Sequence, residues 1–329
     1  MKRLMAMIGL WVFATVAGVA FGQTGAPPDS VQAFPNKSVR LVIPFAPGGG
    51  NDILARLLSA KMSESFGQPV IVDNKPGAQG IIGVEFVMKS APDGYTVLMG
   101  PSGPMTGNPA IYSKLPYSPT LDFVPVTMIG SIPYILVVNA SLPVQSVQEL
   151  VAYAKARQAT VNYSSTAALF QLAMELFNQK AGTRFQHIPY KSSAEAMNAV
   201  LSGEVTVTFS DPPPSAGPIK AGRLKGLAIS SPNRHPVFPD IPTMAEAGIS
   251  DMAFETWFGL FLPLRTPVAI ARKLRDEVAR VVALPDVRVH LATLGVDPSG
   301  MPSEDFAKVV AADIARWTAV AKAANIKAD

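Results

Sequence analysis

The chain contains no cysteine. That absence excludes disulfide staples, thiolate metal sites, a cysteine nucleophile and a lipid-modified cysteine anchor. Histidine is nearly as scarce: His187, His235 and His290 lie far apart, with no H-E-x-x-H or similar metal spacing. Charged residues make up only 16% of the chain and aromatics 8%. Neither a charge-driven disordered polymer nor a basic, aromatic-rich nucleic-acid surface fits that balance. The formal net charge is +4, of which Lys2 and Arg3 supply two, and no basic cluster stands out in the rest. Beyond the N-terminus no apolar run is long enough to span a membrane.

What is present is apolar material, 48% of 329 residues, enough to bury one large core or two medium ones without staples. The prolines, 30 in number, sit singly or in short clusters between periodic segments, as punctuation in a loop-rich α/β chain. Lys2 and Arg3 precede an apolar run over 4–21 whose end reads Ala20-Phe21-Gly22. A basic start, an apolar centre and a small-residue end read as a secretory signal over residues 1–22, cleaved on export, in preference to an uncleaved anchor. A linker at 23–32 follows. The mature chain is expected to be soluble and periplasmic.

From there the pattern becomes regular. Strand candidates at 39–45, 70–73, 95–99, 161–164, 185–188, 205–209, 227–229 and 257–262 are short and mostly apolar throughout, as strands buried on both faces of a sheet are. Ser146 with Glu149, Ser192 with Glu195, and Thr243 with Glu246 each fit a capping box that opens a helix. Pro267 is placed to open a helix through 284, and Gly203 and Gly248 to close theirs. This alternation predicts an α/β protein with doubly wound, mostly parallel sheets. Two extended passages, 122–139 and 252–263, break the rhythm and leave no room for a helix. They suggest a chain that leaves one lobe, builds a second and returns: lobe 1 from 33–131 plus 253–329, lobe 2 from 132–252, with a cleft between them.

Known chemical signatures are missing. "PFAPGGGND" has Gly48 and Gly50 of a dinucleotide fingerprint, but Ile53 stands where the third glycine belongs, and the dipeptide Gly-Lys of a phosphate loop occurs nowhere. There is no G-x-S-x-G and no S-x-x-K. No catalytic residue, metal or cofactor is therefore expected, and the protein is read as a non-enzyme. What remains is a set of polar turns at strand C-termini, where ligands of open α/β sheets bind. They are the glycine turn, "PSGP" with Ser102, "SSTA" with Ser164, Ser165, Thr166 and Ala167, and "SDPPP" with Ser210 and Asp211. None of them contains Lys or Arg, so an anion there would rest on N–H groups and hydroxyls. Asn51 or Asp52 can cap the first helix, and Asp52 can also hydrogen-bond a ligand hydroxyl or water. One of Ser164, Ser165 and Thr166 is expected to cap the helix at 169–181 and leave the others for a ligand. Tyr190 either closes the cleft or packs at a strand end.

The run "FPNKSVRLVIPFAPGGGNDILARLLSAKM" with "FGQPVIVDNKPGAQGIIGVEFV", "APDGYTVLMG", "LKGLAISSPNRHPVFPDIPTMAEAGI" and "ETWFGLFLPLRTP" closely resembles the extracytoplasmic receptors of the tripartite tricarboxylate transporter family, the Bug proteins. The resemblance covers essentially the whole mature chain. It implies a two-lobed, type II periplasmic binding protein that holds a small organic acid, a di- or aromatic carboxylate, between loops from both lobes. Carried over, the first loop is Phe45, Ala46, Pro47, Gly48, Gly49, Gly50, Asn51 and Asp52, and the second is Ser164, Ser165, Thr166 and Ala167. Relatives usually carry a glycine- and serine-rich run followed by His-Leu at the second loop. Here Ala167, Ala168 and Phe170 stiffen it and make it less polar, which points to a bulkier or less polar acid. The implied partners are the acid and membrane transporter subunits, with the receptor itself a monomer. An exported hydrolase-like enzyme and a receptor feeding a sensor kinase are the rival readings.

Overall fold

The computed structural model describes residues 34–190 and 193–328. The expected signal and linker, and Ser192 of one capping box, lie outside them. The chain opens with β1 (Val39–Ile43), α1 (Gly50–Phe66), β2 (Val70–Asn74), α2 (Ile81–Met88), β3 (Thr96–Pro101), the short α3 (Asn108–Ile111) and the long β4 (Phe123–Pro133). It then enters a second sheet at β5 (Ile135–Asn139) and continues through α4 (Val147–Ala156), β6 (Asn162–Ser165), α5 (Ala168–Ala181), β7 (Gln186–Pro189), α6 (Ser193–Ser202), β8 (Val207–Ser210), α7 (Pro212–Lys220) and β9 (Leu224–Ile229). The return is β10 (Glu255–Pro263), followed by α8 (Val268–Ala283), α9 (Pro285–Thr293), β11 (Asp297–Pro298) and α10 (Ser303–Ala324).

The strand order is β11-β4-β10-β3-β1-β2 in one sheet and β7-β6-β8-β5-β9 in the other. Pairing is mixed, which corrects the expectation of mostly parallel sheets. β1 runs parallel to β2 and β3, and β6 parallel to β7 and β8. By contrast β10 is antiparallel to β3 and β4, and β5 antiparallel to β8 and β9. Parallel neighbours need a helical crossover between them, whereas strands entered directly from the other sheet carry no such constraint. The two helix-free passages are those strands.

Between the sheets the chain crosses twice, and the crossings are tied together. The Tyr134 N–H donates to Ser230 Oγ at 2.8 Å, and the Ser230 N–H to the Tyr134 carbonyl at 2.8 Å. Ser230 Oγ in turn donates to the Phe254 carbonyl at 2.6 Å. A third link is α10. Its early residues Phe306 and Val310 sit in the apolar cluster of the first sheet with Trp257 and Phe261. Its later residues Trp317, Val320 and Ala321 sit in the cluster under the second sheet. A Cβ on Gly259 of β10 would come within 2.1 Å of the Phe306 ring, so this close approach of helix to strand requires glycine.

The helix-start signals fared unevenly. Ser146 caps α4 by accepting from the Glu149 N–H at 3.1 Å. Ser146→Ala is therefore expected to cost about 1 kcal/mol, read as a lower urea midpoint at unchanged slope. Thr243 and Glu246 form both bonds of their box, yet only a turn follows, not a helix. Pro267 stands one position before α8, as its N-cap.

Candidate functional site

At the first loop β1 ends and α1 begins with Gly49 as N-cap, extended and with no side-chain cap. Neither Asn51 nor Asp52 caps forward. Asp52, third in the helix, instead reaches back: its carboxylate accepts from the Gly48 N–H at 3.0 Å, from Arg56 Nε at 2.9 Å and Nη2 at 3.1 Å, and from Asn74 Nδ2 at 3.0 Å. Gly48 meets it at φ +88°, a left-handed conformation that glycine accepts freely. The Arg56 guanidinium, with the Gly48 N–H, holds the Asp52 carboxyl down at about 2. The side chain is buried and occupied by the loop's own groups, so it positions the loop. The N–H groups of Gly50 and Asn51 have no partner within the helix. Asn51 Oδ1 is buried without a hydrogen-bond partner among the described residues.

At the second loop α5 begins with Ala167 as its N-cap, extended at φ −153° and ψ 164°, again with no side-chain cap. This corrects the expectation that Ser164, Ser165 or Thr166 would cap. The strand β6 runs through Ser165, so the two serines are strand residues whose side chains are committed to the sheet faces. Ser164 is fully buried and its Oγ has no partner among the described residues. Ser165 Oγ shares a 2.6 Å hydrogen bond with His187 Nε2. Alanine offers no oxygen, so the first N–H groups of α5 stay open.

Both uncapped helix ends line one cleft of about 480 Å³ between the sheets: Gly50 and Asn51 from one side, Ala167, Leu169 and Phe170 from the other. Its walls are apolar, with Phe45, Ile132, Tyr134, Phe258 and Val296, and among the described residues no Lys or Arg lines it. The Tyr134 and Phe170 rings stack at 4.6 Å, 7° from parallel. Tyr134, Ile132, Phe258 and Val296 were not legible as site residues, because they are apolar positions in extended segments and read as core. The one signal was the hydroxyl-tipped Tyr134 within the apolar run 132–138.

The remaining predicted residues divide. Asp211 lines both the cleft and an adjoining cavity of about 20 Å³, a single water's space, that Ser165, Thr166 and Ser210 also line. Ala46, Pro47, Gly48 and Gly49 are exposed on the loop and are not among the cleft-lining residues. Ser102 is buried, and its Oγ accepts from the Trp257 N–H at 3.4 Å. Tyr190 bonds the Ser165 carbonyl through its N–H and Glu204 through its hydroxyl. It therefore packs at the end of β7 and is not among the cleft-lining residues.

The Ser165–His187 pair is the nearest approach to catalytic geometry. Burial lowers the His187 pKa, which keeps the ring neutral. Glu175, the carboxylate that could orient it, accepts instead from the Tyr163 hydroxyl at 2.7 Å and from Asn178. Among the described residues no cluster of three or more His, Cys, Asp or Glu could hold a metal.

Comparison with known proteins agrees with the resemblance read from the motifs. A model of the tripartite tricarboxylate transporter family receptor matches residues 54–326. Protein BugT of Bordetella pertussis is 34% identical over 330 residues, spanning 99% of each chain. Among solved structures, Rpa4515 of R. palustris with adipate superposes with a TM-score of 0.79 at 36% identity, covering 89% of this chain and 99% of that one. MatC of Rhodopseudomonas palustris with bound malate gives 0.75 at 31% identity, covering 87% and 99%. With two α/β lobes around a cleft and relatives matched nearly end to end, the chain belongs to the solute-binding receptors of the tripartite tricarboxylate transporter family.

Proposed function

We propose that the protein captures a small organic carboxylate in the interlobe cleft and delivers it to membrane transporter subunits of the tripartite tricarboxylate type. The observation that carries this reading is the pair of helices, α1 and α5, whose N-caps are glycine and alanine and whose open ends line one cleft that no cationic side chain among the described residues enters. Each helix end carries roughly half a positive charge on unpaired N–H groups. Two such ends can take a carboxylate without ordering a long cationic side chain, and the apolar walls exclude water and strengthen the bonds. Within the loops 45–52 and 164–167, Phe45, Gly50, Asn51 and Ala167 would meet the ligand, with the other loop residues and Ser102, Tyr190 and Ser210 supporting them. The relatives solved with adipate and malate support the acid class.

In this reading the lobes are 33–131 with 253–329, and 132–252, closing about the Tyr134–Ser230–Phe254 crossing. Capture needs no cofactor and no covalent step, and one copy suffices. Residues 1–22 would direct the chain to the periplasm. Among the described residues no helix is long and apolar enough to cross a membrane.

Calorimetry and thermal-shift screens over mono-, di- and aromatic carboxylates test the reading. At least one acid is expected to bind near micromolar, about −8 kcal/mol. It should raise the unfolding free energy by about 2.7 kcal/mol at a hundredfold excess over Kd. Silence of folded, ligand-free protein across a broad panel would overturn it. Delivery is tested separately, by uptake of the identified acid in cells with and without the receptor.

A further inference from the structure

Among the described residues Asp211 is the one acidic side chain lining the cleft, and no basic side chain accompanies it. It stands at the N-cap of α7, where an aspartate ordinarily turns its carboxylate onto the N–H of the second or third helical residue. Here the first three helical residues are Pro212, Pro213 and Pro214, and none of them has an N–H to offer. The carboxylate makes no cap bond. The hydroxyls of Ser210 and Ser215 do bond at this turn, but to the Asp211 carbonyl oxygen, at 3.1 and 2.7 Å. The apolar surroundings push the half-buried carboxyl up to about 6, so near neutral pH the group is mostly ionised, and no donor among the described residues is placed on it.

The triple proline also changes what this turn can do. Although it is a polar turn at a strand C-terminus like the others, an anion there would find no N–H before Ser215 in the helix and would face a carboxylate. The cleft is thus asymmetric. One region presents the open helix ends of α1 and α5, and another presents, beside the Tyr134–Phe170 stack, an acceptor with no partner among the described residues.

On the reading that this cleft is the acid site, we propose that Asp211 sets its specificity. It selects an apolar-bodied carboxylic acid whose far end donates hydrogen bonds, as a hydroxyl or ammonium does, and it rejects a second carboxylate. The donor satisfies the unpaired oxygens, whereas a second carboxylate leaves two like charges facing each other in an apolar enclosure. Discrimination by an unpaired charge against the wrong partner is negative selection built from a single side chain.

The test is calorimetry near neutral pH with matched acids: adipate, caproate, ω-hydroxycaproate and ε-aminocaproate, together with terephthalate, para-hydroxybenzoate and para-(aminomethyl)benzoate. Each is measured on the full mature chain and on Asp211→Asn. The wild type is expected to bind the hydroxyl or ammonium member of a series at least about tenfold more tightly than the dicarboxylate, and Asp211→Asn to remove most of that gap. The variant should also melt no lower than the wild type, because asparagine is an equally good N-cap and an unpaired charge is removed. Dicarboxylates that bind wild type as tightly as the donors would overturn the assignment. So would a ranking unmoved in the variant, or a clear loss of stability. If no acid of either series binds, the receptor reading of the cleft fails first and this inference falls with it. If acids bind without discrimination at Asp211, only this inference fails.

Discussion

Replacing Tyr134 by alanine is expected to cost about 4 kcal/mol of stability, within the range for deleting a fully buried aromatic side chain. The ring is 2% exposed and is enclosed by other aromatic rings. It stacks on Phe170 at 4.6 Å, meets Phe254 edge-on at 5.5 Å and lies 6.3 Å from Phe209. Its hydroxyl accepts from Thr256 Oγ1 at 2.5 Å. These partners come from different parts of the chain: Phe170 and Phe209 from the second sheet's block, Phe254 and Thr256 from the return crossing. Removal therefore opens a cavity where the crossings meet and strips one wall from the cleft. The urea midpoint should fall strongly, and acid binding should weaken in the variant that remains folded at low denaturant. Tyr134→Phe separates the two contributions. It keeps the packing and loses only the bond to Thr256, for a cost of about 1 kcal/mol. If Tyr134→Ala fell no further than Tyr134→Phe, the ring would not be the structural junction described here.

Asp52→Ala is expected to cost about 3 kcal/mol, because it strips a buried network, leaving the Gly48 N–H and the Arg56 guanidinium without their acceptor and the Asn74 amide with only the Phe45 carbonyl. The pH dependence gives an independent handle. The folded carboxyl titrates at about 2, below its usual 3.8. Its stabilising contribution is thus complete above 3.8 and is lost as pH falls through about 2. A depression of nearly two units corresponds to about 2 kcal/mol. Unfolding free energies measured from pH about 5 down to about 2 should fall less steeply in Asp52→Asn than in the wild type, by about that amount. Equal slopes would show that Asp52 is not coupled to folding. Because Asp52 positions the loop and is not among the cleft-lining residues, its removal should also weaken acid binding, by about tenfold, through a misplaced Gly50–Asn51 end.

Much of this was open to sequence reading because it depends on neighbours along the chain. The strand–glycine–helix order at Leu41–Ala60 follows from a buried apolar run, three glycines and an amphipathic segment, and so does the exclusion of a nucleotide loop. The cap at Ser146 and the paired bonds of Thr243 with Glu246 are four-residue patterns, although the helix expected after Thr243 is only a turn. The site was legible only in part: the two loops could be named, but not which of their atoms are free. Asp52 could not be told from a ligand contact, since Arg56 is one helical turn away but Asn74 arrives from another strand. Ser164 and Ser165 look like caps in a sequence, and only their place in β6 shows that they are strand residues.

The sequence by itself determined the α/β class, the helix-free crossings, the family and the absence of cationic side chains in the polar turns. These are properties of composition, periodicity and local hydrogen-bonding choice, and short-range sterics decide them. The tertiary structure alone decided that the open ends of α1 and α5 line the same cleft, that Tyr134, Phe258 and Val296 wall it, and that Asp211 lies in it without a partner among the described residues. Those facts depend on which distant segments pack together, and packing is set by shape and burial across the whole core rather than by any neighbour in the chain.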